Sequence, residues 1–223
     1  MKVGAVRANA LFLTMATVAV TGVAASAASP LAGIPVGQSV NYRLSSTTTK
    51  PDSSPETSNH SITIRRLAPT AFGISVDGAP AGQIAIDASG NPIVPPSLKK
   101  VLAPFGQVAL LMRGAPQPLA AGANWSAALP VPIKDETDDV PLSVSVTQLA
   151  PTGATVVANG QNTTSVQAVV RDKPTEVTVS STMIFNAAHV LTSASSNVSI
   201  VIHAGRVRTK HAGNTWSLSL AGP

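Results

Sequence analysis

The segment SITIRRLAPTAFGISVDG, residues 61–78, aligns without a gap to SVSVTQLAPTGATVVANG, residues 143–160. The opening Ser, the Leu-Ala-Pro-Thr centre and the closing Gly are identical, and Ile62, Ile64 and Ile74 are matched by Val144, Val146 and Val156. Branched apolar residues at every second position make a half-buried strand, and Pro-Thr between two such runs makes a turn, so each copy reads as a hairpin. A Gly followed by an aromatic lies upstream of each copy, Gly37 with Tyr42 and Gly122 with Trp125. Two similar β-modules are expected, produced either by duplication or by convergent hairpin chemistry.

The same period of two recurs at Ile84 and Ile86, at Val177 and Val179, at Val198, Ile200 and Ile202, and at Trp216, Leu218 and Leu220. The C-terminal third therefore reads as an antiparallel meander, with turns at Ala204-Gly205 and Ala212-Gly213. Residues 87–91, Asp-Ala-Ser-Gly-Asn, predict another turn. The polar run 45–58, which holds Pro51 and Pro55, predicts a flexible loop between two strands.

One stretch has helical spacing instead. Between Pro96 and Gly114, Leu98, Val101, Leu102, Phe105, Val108, Ala109 and Met112 fall on one stripe, with Ser97 placed to cap the first turn. Pro104 and Gly106 interrupt it, which predicts two short helices or one kinked helix. The expected fold class is mainly β: an antiparallel curved sheet (half-barrel) or a sandwich, built from two similar β-modules. The modules span residues 28–95 and 115–223, with the Pro-broken amphipathic segment 96–114 between them. A half-barrel with a helical lid is similar in plan to the envelope lipoprotein carriers, a likeness of architecture carried by no shared motif.

The N-terminus carries Lys2 and Arg7, then an uncharged stretch from Ala8 to Ala28 that closes on Ala25-Ser26-Ala27. This is the pattern of a secretory signal peptide, residues 1–27, cleaved to leave residues 28–223. The competing reading is a retained anchor, because the stretch approaches the ~20 apolar residues of a spanning helix. Its Ala, Thr and Gly content is weakly apolar and favours cleavage. The expected location is periplasmic or extracellular, with no membrane span after signal cleavage.

The chain has no Cys, which excludes disulfides, thiolate metal sites and a lipid-modified N-terminal Cys. Its core must hold by packing alone, and a chain of this size can bury enough surface to do so. Only 11% of residues are charged and the formal net charge of +5 includes Lys2 and Arg7 of the leader, too dilute a cationic surface for nucleic acid. Aromatics at 3% leave no stacking platform for single strands or carbohydrate. Sequons at Asn59, Asn124, Asn162 and Asn197 are of the kind that a Ser- and Thr-rich chain produces by accident.

Motifs for catalysis are incomplete. Ser97-Leu98-Lys99-Lys100 fits S-x-x-K, in which one helical turn sets a Lys amine beside a Ser hydroxyl. Ser195-Ser196-Asn197 could serve as a second element, but Lys210-His211-Ala212 is not Lys-Thr-Gly, so a capped helix start is the simpler reading. Gly37-Gln38-Ser39-Val40-Asn41 and Gly73-Ile74-Ser75-Val76-Asp77 each lack the last glycine of a nucleophile elbow. The acids Asp135, Glu136, Asp138 and Asp139 gather in an expected loop without the spacing that wraps a Ca²⁺ ion. His60, His189, His203 and His211 form no zinc pair. Arg206, Arg208 and Lys210 alternate on one expected strand, where they either meet anionic headgroups or simply solvate a sheet face.

These features predict an exported, non-enzymatic envelope protein, a binding or carrier module for an apolar ligand or a lipid-linked partner, with no cofactor and no metal. An envelope protein is the other expected partner, and the oligomeric state is open. The expected ligand-binding residues are Leu98, Val101, Leu102, Phe105, Val108 and Met112. The alternative is a structural or adhesive surface β-domain that acts through protein contacts. A cavity distinguishes the two, since a sandwich core is filled to crystal-like density.

Overall fold

The computed structural model describes residues 30–31, 33–87, 92–133, 136–166, 173–203 and 209–221. The expected leader and its expected cleavage site lie outside the described residues, as do 88–91 of one expected turn and Ala204-Gly205 of another.

The strands are β1 (Ser39–Thr49), β2 (Glu56–Ala68), β3 (Ala71–Val76), β4 (Ala79–Ile86) and the short β5 (Pro92–Ile93), followed after the helix by β6 (Asn124–Ile133), β7 (Glu136–Ala150), β8 (Gly153–Val166), β9 (Lys173–Asn186), β10 (Leu191–His203) and β11 (Thr209–Leu220). All eleven belong to one antiparallel sheet in the order β5-β4-β3-β2-β1-β11-β10-β9-β8-β7-β6. The curved sheet does not close into a barrel, and the described residues form this one sheet rather than the two of a sandwich. Two meanders, β1 to β5 and β6 to β11, are joined where the first strand pairs with the last, Tyr42 opposite Leu220 and Ser46 opposite Trp216.

The repeat pairs in the same register at both ends of each hairpin, with the bulge at Leu67 in the first copy and two repeat positions earlier, at Thr147, in the second. Ile62 faces Val76 and Ile64 faces Ile74, as Val144 faces Ala158 and Val146 faces Val156. Each hairpin carries a bulge before its Pro-Thr turn, and each closes on an equivalent pair, Ala68 with Ala71 and Ala150 with Gly153. The preceding strands match too: Tyr42 faces Ile62 and Trp125 faces Val144. Each is entered through a turn in which the residue after a positive-φ Gly bonds back three residues, Gln38 N–H to Pro35 and Ala123 N–H to Ala120. Gly37 and Gly122 occupy the third position of these turns, which needs φ > 0.

Helix α1 (Lys99–Met112) follows a 3₁₀ turn (Pro96–Leu98). It is one helix, with Pro104 in its second turn, rather than two; the proline cannot donate to the Lys100 carbonyl. Ser97 makes no capping hydrogen bond, contrary to expectation, because the 3₁₀ turn sets Leu98 at the cap position. At the other end the indole Nε1 of Trp125 donates to the Leu111 carbonyl at 2.7 Å and satisfies one of the orphan acceptors of the last turn.

Two expected loops are strand. Of the run 45–58, residues up to Thr49 extend β1 and those from Glu56 open β2, with Thr47 and Thr57 hydroxyls bonded across the ladder at 2.9 Å. Ala212-Gly213 is no turn: both residues lie inside β11, opposite Ile200 and Ser199. The acidic segment likewise opens β7, with Thr137 opposite Pro132 and Asp139 opposite Pro130. Strand β6 had no clear period-two signal. Its Pro130 and Pro132 are tolerated because it is an edge, paired only with β7.

The sheet has two rims. The turns β2–β3, β7–β8 and β9–β10 gather at the rim where the chain enters, since Gly33 packs on the backbone of Ala188, His189 and Val190. The β1–β2 turn and the strand ends at Ile133, Glu136, Val166, Lys173, His203 and Thr209 lie at the opposite rim.

Candidate functional site

Alternation decides what lines the concave face. Reading across β9, β10, β11, β1 and β2, one inward row is Met183, Ala194, Leu218, Leu44 and His60. The next row towards the far rim is Ser181, Ser196, Trp216, Ser46 and Ser58, and the one beyond holds Asn214, Thr48 and Glu56. On β1, β2 and β11 the inward face thus turns from apolar to hydroxyl-rich as it leaves the entry rim.

Helix α1 lies over this change. Leu98, Leu102, Phe105, Val108 and Met112 are buried in the single core cluster that unites both modules. The Phe105 ring meets Tyr42 edge-on, centroids 5.2 Å apart, and the Tyr42 hydroxyl donates to the Leu191 carbonyl at 2.9 Å. Burial pushes the Tyr42 phenol pKa well above its ordinary value.

Gln107 is the polar contact of the buried helix face. Its Nε2 donates to Ser196 Oγ at 2.7 Å and to Ser181 Oγ at 3.2 Å, and its Oε1 accepts from the Trp216 indole at 3.0 Å. Ser181 Oγ and Ser196 Oγ are 2.9 Å apart and bonded to each other. Among the described residues no buried side-chain polar atom lacks a partner. Gln107→Leu strands the Trp216 N–H and the serine pair, and is expected to cost about 1–3 kcal/mol in urea unfolding. An unchanged midpoint would show that the clasp contributes nothing.

Beside the helix start, a groove of about 640 Å³ opens over the hydroxyl-rich end of β1, β2 and β11. Leu44, Val101 and Ala103 supply its apolar surface; Ser46, Thr48, Thr57, Ser58 and Asn214 supply hydroxyls and an amide; and Lys50, Glu56, His60 and Lys100 supply charge or a titratable ring. Most of these groups are already placed. Asn214 Nδ2 donates to Thr48 Oγ1 at 3.0 Å, Lys50 pairs with Glu56 at 3.3 Å, and Lys210, near the same rim, pairs with Asp52. His60 Nδ1 lies 2.9 Å from Asp77, whose carboxyl is held below its ordinary pKa by that bond and by the Ser61 backbone N–H. Lys100 has no ion-pair partner among the described residues. It stands in the first turn of a helix with no acid there to answer it.

Of the six expected ligand-binding residues, Val101 borders the groove and the other five pack into the core. Of the remaining lining, Lys100 and Ala103 lie on α1, Leu44, His60 and Asn214 on strands, and Ser46, Thr48, Lys50, Glu56, Thr57 and Ser58 in the run read as loop, whose Ser and Thr residues gave no alternation to mark an inner side. Ser97 and Lys100 both lie on the surface, but no bond between them is formed. Arg206 and Arg208 lie outside the described residues. No group of three His, Asp or Glu among the described residues could hold a metal ion. Among them, too, no helix is long and apolar enough to cross a membrane. Comparison with protein families, with curated proteins and with solved structures finds no match to this chain.

Proposed function

We propose that this chain is an exported, non-enzymatic binding module of the cell envelope that seats an amphiphilic or lipid-linked ligand in the groove beside the start of α1. The observation that carries this reading is the groove itself, about 640 Å³ with an apolar floor at Leu44, Val101 and Ala103 and polar walls. Its size falls in the range of small-molecule sites, and the mix of surfaces suits a ligand with a tail and a head. Lys100, without an acid to pair with, makes an anionic head the favoured one. The leader at residues 1–27 supports export.

Dodecyl phosphate, kept below its micelle concentration, is the probe. Titration followed by amide NMR is expected to move Ser46, Thr48, Lys100 and Val101, and Val101→Glu is expected to weaken binding at least tenfold by placing a carboxylate on the apolar floor. Shifts confined to other surfaces, or a Val101→Glu protein that binds as tightly as wild type, would refute the site.

The packed helix favours one further reading. Phe105 and its neighbours fill the concave face, as the interior of a structural or adhesive surface β-domain would require. Absence of any amphiphile binding would leave that reading in place.

A further inference from the structure

We infer that the entry rim of the sheet is a docking edge for an anionic lipid surface. The large apolar residues most exposed among the described ones are Val36, Leu67, Ile93, Leu149 and Ile184. Scattered single exposures are ordinary on a protein surface, but these five converge. Leu67 is the bulged residue before the pair Ala68–Ala71, Ala71 pairs with Ala85, and Ala85 pairs with Ile93. Val36 precedes Gly37, whose N–H bonds to the carbonyl of Arg66, the neighbour of Leu67. Leu149 faces Ala154 in the second module, and Ile184 faces Thr155 beside it. All five therefore stand within a few residues of one rim, and none at the other.

Leu67 and Leu149 are equivalent positions of the repeat and have nearly equal exposure, 43% and 44%. Both modules carry a part-exposed leucine at the Leu-Ala-Pro-Thr tip, Leu67 as the bulged residue and Leu149 in the ladder opposite Ala154.

The acids are sorted along the same axis, although cations occur at both rims. Asp52, Glu56, Glu136, Asp138, Asp139 and Glu176 lie near the opposite rim, and among the described residues Asp87 is the acid that falls at this one. Arg65, Arg66 and Arg113 lie at the entry rim. Arg65 faces Ser39 at the start of β1, Arg66 donates to the carbonyls of Ile34 and Pro69, and Arg113 follows the helix end that is held by Trp125. An apolar edge with cations beside it and acids held away complements a bilayer with anionic headgroups. The chain also enters here: the apolar stretch Ala8–Ala28 ends just before Leu31, which is buried against the core. Whatever holds that stretch to a membrane before cleavage holds this rim closest to it.

The test is flotation of the exported form, residues 28–223, with phosphatidylcholine vesicles and with vesicles that also contain phosphatidylglycerol. Wild type is expected to float with the anionic vesicles and much less with the neutral ones. Leu67→Asn with Leu149→Asn is expected to lower the partition coefficient about tenfold or more, because two half-exposed leucines no longer enter the interface. Arg65→Glu, on an exposed side chain, is expected to weaken binding to the anionic vesicles selectively, and Val101→Glu in the groove is expected to float like wild type. Wild type that floats with neither vesicle overturns the inference, including the case where the rim instead buries itself in a second copy and sediments as a dimer. A folded double leucine variant that floats as well as wild type overturns it too.

Discussion

Phe105→Ala is expected to destabilise the protein by about 3–5 kcal/mol in urea or thermal unfolding, the cost of deleting a buried aromatic ring and leaving its cavity. Phe105 is fully enclosed at the middle of α1, edge-on to Tyr42 of β1. Strand β1 is where the two meanders join, through its ladder with β11. The ring therefore fills the place where helix, first module and second module meet. Neighbours cannot collapse into the space easily, because Tyr42 is tied to Leu191 and the helix is tied by Gln107 to three strands. Loss of the near-ultraviolet signal of Tyr42 is expected alongside. A cost below about 1 kcal/mol would mean that the ring sits in a loose or hydrated space, and the packed concave face described above would be wrong.

Gly160→Ala is expected to cost about 3 kcal/mol or more, from overpacking that no rotamer relieves. A methyl carbon at Gly160 would fall 2.0 Å from the Pro141 carbonyl oxygen, so β7 and β8 would have to part. Gly78, the equivalent residue of the first copy, is conserved between the copies for a different reason. It ends the two-residue Asp77-Gly78 loop between β3 and β4, with φ of 52° and 82°, and a methyl there would touch nothing within 4 Å. Gly78→Ala is therefore expected to cost only the left-handed penalty of about 1–2 kcal/mol. Equal effects at the two positions, measured by chemical denaturation, would contradict the divergent roles assigned to them.

That pair shows how far the repeat could be read. The alignment located both hairpins, their strands and their shared turn, because Ile62, Ile64 and their counterparts carry a strict period of two. It could not reveal that Asp-Gly turns the chain in one copy whereas Asn-Gly continues a strand of residues 153–166 in the other, since both are turn formers by local chemistry. What decides is the partner strand. β9 extends far enough to pair the whole of β8, and β7 pairs it up to Asn159, whereas β4 turns back at once.

The helix was legible from its stripe, and the fate of that stripe was not. Leu98, Leu102, Phe105, Val108 and Met112 have the pattern of any buried helix face, and pattern alone does not separate residues that touch a ligand from residues that touch a sheet. The groove escaped notice for the opposite reason. Its walls are Ser46, Thr48, Ser58 and Asn214, polar side chains on strands, and a run of Ser and Thr gives no hydrophobic alternation to mark its inner side. Gln107 was hidden in the same way, a polar residue on a buried helix face whose partners lie far off in sequence. The Ser181–Ser196–Trp216 row that receives it arises only when β9, β10 and β11 are set side by side.

Native mass spectrometry of residues 28–223, the form that the proposed cleavage would leave, purified gently from its native source and compared with the denatured mass, tests the proposed binding most directly. An adduct of lipid size that is lost on denaturation, and absent from Val101→Glu prepared in the same way, is the predicted result. A clean mass for the wild-type protein, or an adduct that Val101→Glu retains in full, would contradict it.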